Sequence, residues 1–166
     1  MVGIIIASHG EFANGILQSG SMIFGEQKDV KAVTLKPSEG PDDIKGKLEE
    51  AIASFENQDE VLFLVDLWGG TPFNQVNNLF EAHKDKWAIV AGLNLPMLIE
   101  AYASRMSMDS ARDIAAHIIE TGVEGVKVRP EELQPKEKAA AASAQPSNAE
   151  APGKLEYVLA RIDSRL

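Results

Sequence analysis

Two apolar runs in this chain end on residues able to do chemistry. Gly3-Ile4-Ile5-Ile6-Ala7-Ser8 stops at His9-Gly10. Val61-Leu62-Phe63-Leu64-Val65 stops at Asp66 and continues into Leu67-Trp68-Gly69-Gly70-Thr71-Pro72-Phe73-Asn74. Unbroken apolar runs of this kind read as parallel strands buried on both faces, and in open α/β sheets ligands sit beyond the carboxyl ends of such strands. An imidazole that attacks phosphorus uses one neutral ring nitrogen, so the other must keep its proton and be pinned by an acceptor. Asp66 is the candidate acceptor for His9, provided their strands are neighbours, as they are in the doubly wound order 2-1-3-4. Its carboxylate would fix the tautomer and stabilise a positively charged ring. His9 and Asp66 are therefore the candidate catalytic pair.

The segment after Asp66 supplies the second half of the chemistry. Gly69 and Gly70 allow close backbone approach or a positive φ. Thr71 is a good N-cap and Pro72 is favoured at the first helical position. Free N–H groups at a helix N-terminus suit an anion, so Leu67, Trp68, Gly69, Gly70 and Thr71 are the candidate phosphate-binding residues. A bland reading fits these residues too: a histidine closing a strand, an aspartate capping a turn, and a well-made turn with no ligand. Adjacency of the two features on one rim favours the phosphate site. Trp68 either lines it or packs. Asn94-Leu95-Pro96-Met97 reaches the same rim and either shapes the pocket or starts a helix. His83 and His117 fall at helical positions among polar neighbours and read as surface residues.

The elements that must position these residues alternate along the chain. Strands are expected at Val2–Ser8, Val30–Leu35, Val61–Asp66, Trp87–Gly92 and Val126–Arg129. Helices are expected at Glu11–Phe24, Pro41–Phe55, Pro72–His83, Pro96–Ser104 and Asp109–Thr121. In the first helix Phe12, Ile16, Leu17, Met22 and Ile23 make an apolar stripe; in the last, Ile114, Ile118 and Ile119 do so, with Asp109 or Ser110 as start and Gly122 as stop. Such alternation with short loops predicts an α/β fold, doubly wound and flavodoxin-like, with a mainly parallel sheet covered by helices on both faces.

Residues 130–154 differ in character: Pro130, Pro135, Pro146 and Pro152 and an Ala-rich tract accompany a single large apolar residue, Leu133. This composition reads as a linker spanning roughly 30 Å. Leu155–Asp163 then reads as another strand, expected to open a second domain that is cut short.

Composition narrows the function. The 166 residues carry a net charge of −9, which argues against nucleic acid or an anionic membrane as direct partner. Cysteine is absent, which removes disulfides, thiolate catalysis and Cys-ligated metal. No signal peptide and no apolar stretch of ~20 residues is present, so a cytoplasmic protein is expected. Neither a phosphate-binding loop nor a Rossmann glycine triplet occurs, and no nucleophile elbow or metal-ligand spacing is found. A receiver domain would want paired acids where Ser8-His9 stands. No cofactor is expected.

Ile4–Gly10, then Phe63–Asn74, then Ala91-Gly92-Leu93-Asn94-Leu95-Pro96-Met97 together closely resemble the IIA domain of mannose-family phosphotransferase-system (PTS) transporters over residues 1–129. The tail Leu159–Leu166 is similar to the opening of that family's IIB domain, which implies an EIIAB chain with residues 155–166 as the start of IIB. The resemblance implies that His9 is phosphorylated at Nε2 by the histidine phosphocarrier protein HPr, that Asp66 holds the Nδ1 proton, and that Thr71 and the N–H groups of Leu67–Thr71 bind the phosphoryl oxygens. Phosphate would pass to IIB and on to a sugar entering through membrane IIC/IID components, which would bring the chain to the membrane. It further implies a homodimer that swaps a C-terminal antiparallel strand, for which Val126–Arg129 is the matching segment. Two alternatives share the fold: the phosphocarrier subunit of a PTS-dependent dihydroxyacetone kinase, and a non-catalytic module that senses a small anion.

Overall fold

The computed structural model describes residues 1–133. The chain divides into a unit spanning Met1–Lys127 and a second beginning at Val128. Within the first, β1 (Gly3–His9), β2 (Val30–Leu35), β3 (Val61–Val65) and β4 (Ala88–Ala91) alternate with α1 (Phe12–Phe24), α2 (Pro41–Ala53), α3 (Thr71–Phe80), α4 (Leu95–Ser104) and α5 (Ala111–Glu124). The strands form one sheet of order β2-β1-β3-β4, every pairing parallel. The expected doubly wound α/β architecture is thus the observed one. Of the second unit, residues 131–133 form a short 3-10 turn. Most of the expected linker and the expected start of a second domain lie outside the described residues.

Period-two geometry sorts each strand's side chains between the two faces. On one face Ile4, Ile6, Leu62, Leu64 and Val90 pack with Ala13 and Ile16 of α1, Leu98 and Tyr102 of α4, and Ile114 and Ile118 of α5. On the other, Ile5, Ala7, Val33, Phe63 and Val65 pack with Ile44 and Leu48 of α2 and Val76 of α3. Both faces being covered explains why the strand sequences are apolar throughout: β1 is buried from Gly3 to Ser8 and first meets solvent at His9. Each fully buried Ile or Leu contributes about 1.5–3 kcal/mol, so this sheet is a stiff support for whatever its ends carry. Gly3 is a strand residue without a side chain because the Phe55 ring fills the space; a Cβ there would run into Cδ2 of that ring.

Several expectations need correction. The buried stripe of α1 is Ala13, Ile16 and Gly20, whereas Phe12, Met22 and Ile23 are exposed. The helix lies close against α4 at Gly20, where a Cβ would be 3.1 Å from both Leu98 and Tyr102, so Ala13 and Gly20 face inward there, while Ile16 is buried and Leu17 packs against the core as expected. In α5 Ile114 and Ile118 are buried but Ile119 is exposed, and the helix runs through Gly122 to Glu124. Ser110 caps its start by accepting from Asp113 N (3.2 Å). The fourth strand is shorter than expected because Trp87 lies before it, its buried indole donating to Gln58 O. No strand forms at Val126–Arg129: residues 126–128 have no regular structure and 129–130 bend. A strand exists only within a ladder, and among the described residues no ladder includes this segment. Far from the strand ends that carry His9 and Asp66, the buried Arg105 guanidinium donates to Val2 O, Lys28 O and Gln27 Oε1, and burial holds its pKa below the ordinary value.

Candidate active site

The sheet register builds the site. Ala7 is paired with Val65, the last residue of β3, while β1 continues to His9 alongside Leu35 of β2. His9 therefore overhangs the sheet on the β3 side, and Asp66 fills the gap beneath it. Asp66 N donates to Ala7 O at 3.3 Å, which turns its side chain towards β1. Oδ2 accepts from His9 N at 2.9 Å and lies 2.9 Å from His9 Nδ1. Oδ1 accepts from Leu67 N at 2.8 Å. A carboxylate can only accept, so Nδ1 carries a proton, and in the neutral ring Nε2 then presents its lone pair. Nε2 has no hydrogen-bond partner among the described residues. The His9 side chain is 46% exposed and that of Asp66 18%, so the carboxylate is shielded while the imidazole faces solvent.

The turn holding His9 is fixed from below. Ser8 is fully buried, and its hydroxyl accepts from Ala13 N at 2.8 Å in the first turn of α1. Gly10 follows with φ +53° and donates to Leu35 O at 2.8 Å. Ser8 and the Asp66–Leu67 bond were not among the sequence candidates. A serine between an apolar strand and a helix was the available signal for the first.

Residues 67–71 close the other side. Gly69 has φ +79°, a conformation that favours glycine. Gly70 is the N-cap of α3, so Thr71 and Pro72 occupy its first two positions; the expected Thr71 cap is one residue off. The reason is local: Asn74 donates through Nδ2 to Gly69 O at 3.1 Å and through its backbone to Gly70 O at 2.9 Å, winding the first turn back onto Gly70. No side chain caps α3, which leaves its leading N–H groups for another acceptor. Gly70 abuts the imidazole: a Cβ on it would lie 2.7 Å from His9 Cε1 and 3.3 Å from Nε2.

His9, Asp66, Leu67 N and Gly70 are thus brought together. Trp68 is 59% exposed and its ring rests on Phe73, centroids 4.3 Å apart, beside the groove along α3. Asn94 is a helix starter: Oδ1 accepts from Met97 N, and Nδ2 donates to Gly122 O at 2.7 Å, tying α4 to α5. His83 and His117 are exposed, as expected; His83 stacks on Trp87 and His117 Nε2 lies 2.8 Å from Glu100. Among the described residues no cluster of His, Asp and Glu could hold a metal ion, and no helix is long and apolar enough to cross a membrane.

Comparison with known proteins decides the family. Residues 3–119 match the family model described as PTS system fructose IIA component. The chain belongs to the mannose-family PTS IIA components. It is 37% identical over 172 aligned residues to the PTS system mannose-specific EIIAB component of Escherichia coli, an alignment covering 99% of this chain and 53% of that one. The chain thus spans about half the length of such curated relatives. The PTS system fructose-specific EIIA component of Bacillus subtilis is 38% identical over 105 residues, 63% of this chain and 71% of its own. Among solved structures, phosphotransferase system component EIIA from Streptococcus agalactiae superposes with a TM-score of 0.71 at 36% identity, covering 77% of this chain and 97% of its own. This PTS IIA component shares its α/β fold with those relatives.

Proposed function

We propose that His9 is the phosphoryl carrier of this IIA component. In this reading the Nε2 lone pair attacks the phosphorus of a phosphohistidine on HPr. The donor's P–N bond breaks, its imidazole leaves neutral, and a new P–N bond forms on His9. The Nδ1 proton stays in place, facing Asp66, and the positive charge that develops on the ring is balanced by that carboxylate. The uncapped start of α3 and the N–H groups of Trp68–Thr71 receive the phosphoryl oxygens, as anion sites at helix N-termini do, while the Leu67 N–H stays on Asp66 Oδ1. The observation that carries the reading is the 2.9 Å contact of Nδ1 with Asp66 Oδ2, which leaves Nε2 bare at the rim.

The phosphoryl group then passes to a IIB domain and, through membrane IIC/IID components, to an incoming sugar, so this domain works at the cytoplasmic face. In the same reading residues 1–129 form the IIA domain, 130–154 the linker and 155–166 the start of IIB; similarity along 99% of this chain to 53% of an EIIAB component supports a IIA domain that leads into IIB. A homodimer is part of the proposal, with the C-terminal segment Val126–Arg129 exchanged between the two copies.

The test is transfer from phosphoenolpyruvate, enzyme I and HPr, followed by intact mass. One acid-labile, base-stable phosphate is expected on wild type and none on His9→Ala. Phosphate on His9→Ala overturns the assignment. No transfer to wild type from competent phospho-HPr favours the anion-sensing alternative.

A further inference from the structure

The contact between Gly70 and the His9 ring carries a role that the phosphate-binding turn does not account for. Gly70 has φ −70° and ψ 167°, a conformation open to any L-residue, so its backbone does not ask for glycine. Gly69 next to it does ask, with φ +79°, yet nothing lies within 4 Å of where its Cβ would be. The two glycines therefore serve different purposes. At Gly70 the missing atom is the space occupied by the Cε1–Nε2 edge of the imidazole.

We propose that Gly70 is a positioning residue for His9, its bare Cα forming the wall that holds the ring against Asp66 with Nε2 directed at the start of α3. This rests on the carrier reading of His9. Asp66 holds the Nδ1 edge of the ring and the backbone N–H; both bonds fall on one oxygen, so how far the opposite edge swings is set by packing. Gly70 sets it from the opposite edge. A methyl group at 2.7 Å from Cε1 is about 1 Å inside carbon–carbon contact distance. Because the imidazole is 46% exposed, it can yield by swinging outward, which draws Nδ1 off the carboxylate. A misplacement of ~1 Å in a reacting group costs about 10²-fold in rate.

The experiment compares wild type, Gly70→Ala, His9→Ala and the H9A/G70A double variant in the full chain. Long-range 15N–1H spectra of the imidazoles, run without phosphate donor, report the His9 tautomer, and thermal unfolding reports the steric coupling. Gly70→Ala is expected to replace the fixed Nδ1–H pattern by a tautomer mixture and to accept phosphate about 10²-fold more slowly. It should lower Tm when His9 is present and leave Tm unchanged in the His9→Ala background. Should Gly70→Ala fail to fold, the double variant should still fold. A wild-type ring pattern in Gly70→Ala, or an equal loss of stability with and without His9, overturns the proposal. If the wild-type chain takes no phosphate, the carrier reading falls, while the ring pattern and the stability cycle still decide the steric claim.

Discussion

Replacing Asp66 by Asn tests the central pair most sharply, because it changes charge and donor pattern while keeping shape. The carboxylate accepts three hydrogen bonds: His9 N and Nδ1 on Oδ2, and Leu67 N on Oδ1. An amide offers one oxygen and one NH2. If the NH2 faces Leu67, two donors oppose each other. If it faces His9, the ring must move its proton to Nε2, and the nucleophilic lone pair is lost. A unit charge about 4 Å from the developing ring charge is worth about 4 kcal/mol at an effective dielectric of ~20. Solvent at this half-exposed ring reduces that to about 2–3 kcal/mol. At 1.36 kcal/mol per decade this alone slows phosphoryl acceptance by about 10²-fold; the tautomer penalty extends the range towards about 10⁴-fold, as for a triad aspartate. The assay is a single-turnover time course with phospho-HPr in excess, quenched and read by intact mass, with unfolding curves as a control. A rate within threefold of wild type would refute the orienting role of Asp66.

Two further predictions concern the support of the site. Gly3→Ala drives a methyl into the buried Phe55 ring; a loss of about 1–3 kcal/mol is expected from chemical denaturation, as for other overpacked cores, and an unchanged midpoint would mean that Phe55 has room to move. Tyr102 is fully buried with a hydroxyl that has no hydrogen-bond partner among the described residues, and burial raises its pKa. Tyr102→Phe should therefore be neutral or stabilising by up to about 1 kcal/mol, and a measured destabilisation would show that the hydroxyl is bonded in solution.

The sheet was legible because both of its faces are covered: the strands read as unbroken apolar runs, and their order followed from doubly wound topology. The His9–Asp66 pair was legible for the same reason, since each residue stands where such a run ends and meets the rim of the sheet. What escaped the sequence depends on distances between segments. Ile16 of the inward face of α1 was legible, but Ala13 and Gly20 beside it were not, because α4 approaches closely there and small residues give no hydrophobic signal. Thr71 has the chemistry of a cap, yet Asn74 moves that position to Gly70. Gly69 and Gly70 look alike in sequence, but one supplies a backbone conformation and the other a space. Val126–Arg129 has strand composition, which by itself cannot supply a neighbouring strand.

The overhang of His9 beyond β3 also bears on what happens between partners. A ring standing proud of the sheet is reachable by differently shaped proteins in turn, which suits a relay. On the proposed carrier role, the same geometry shields a phosphorylated ring on the side of Gly70 and Asp66 and leaves its other side open to bulk water. Its lifetime while unbound would be governed by the intrinsic hydrolysis of the P–N bond, with shelter arriving only when a partner docks. The useful store of phosphoryl groups would then depend on how quickly the next partner arrives, so relay efficiency would follow partner concentration as much as the chemistry at Nε2.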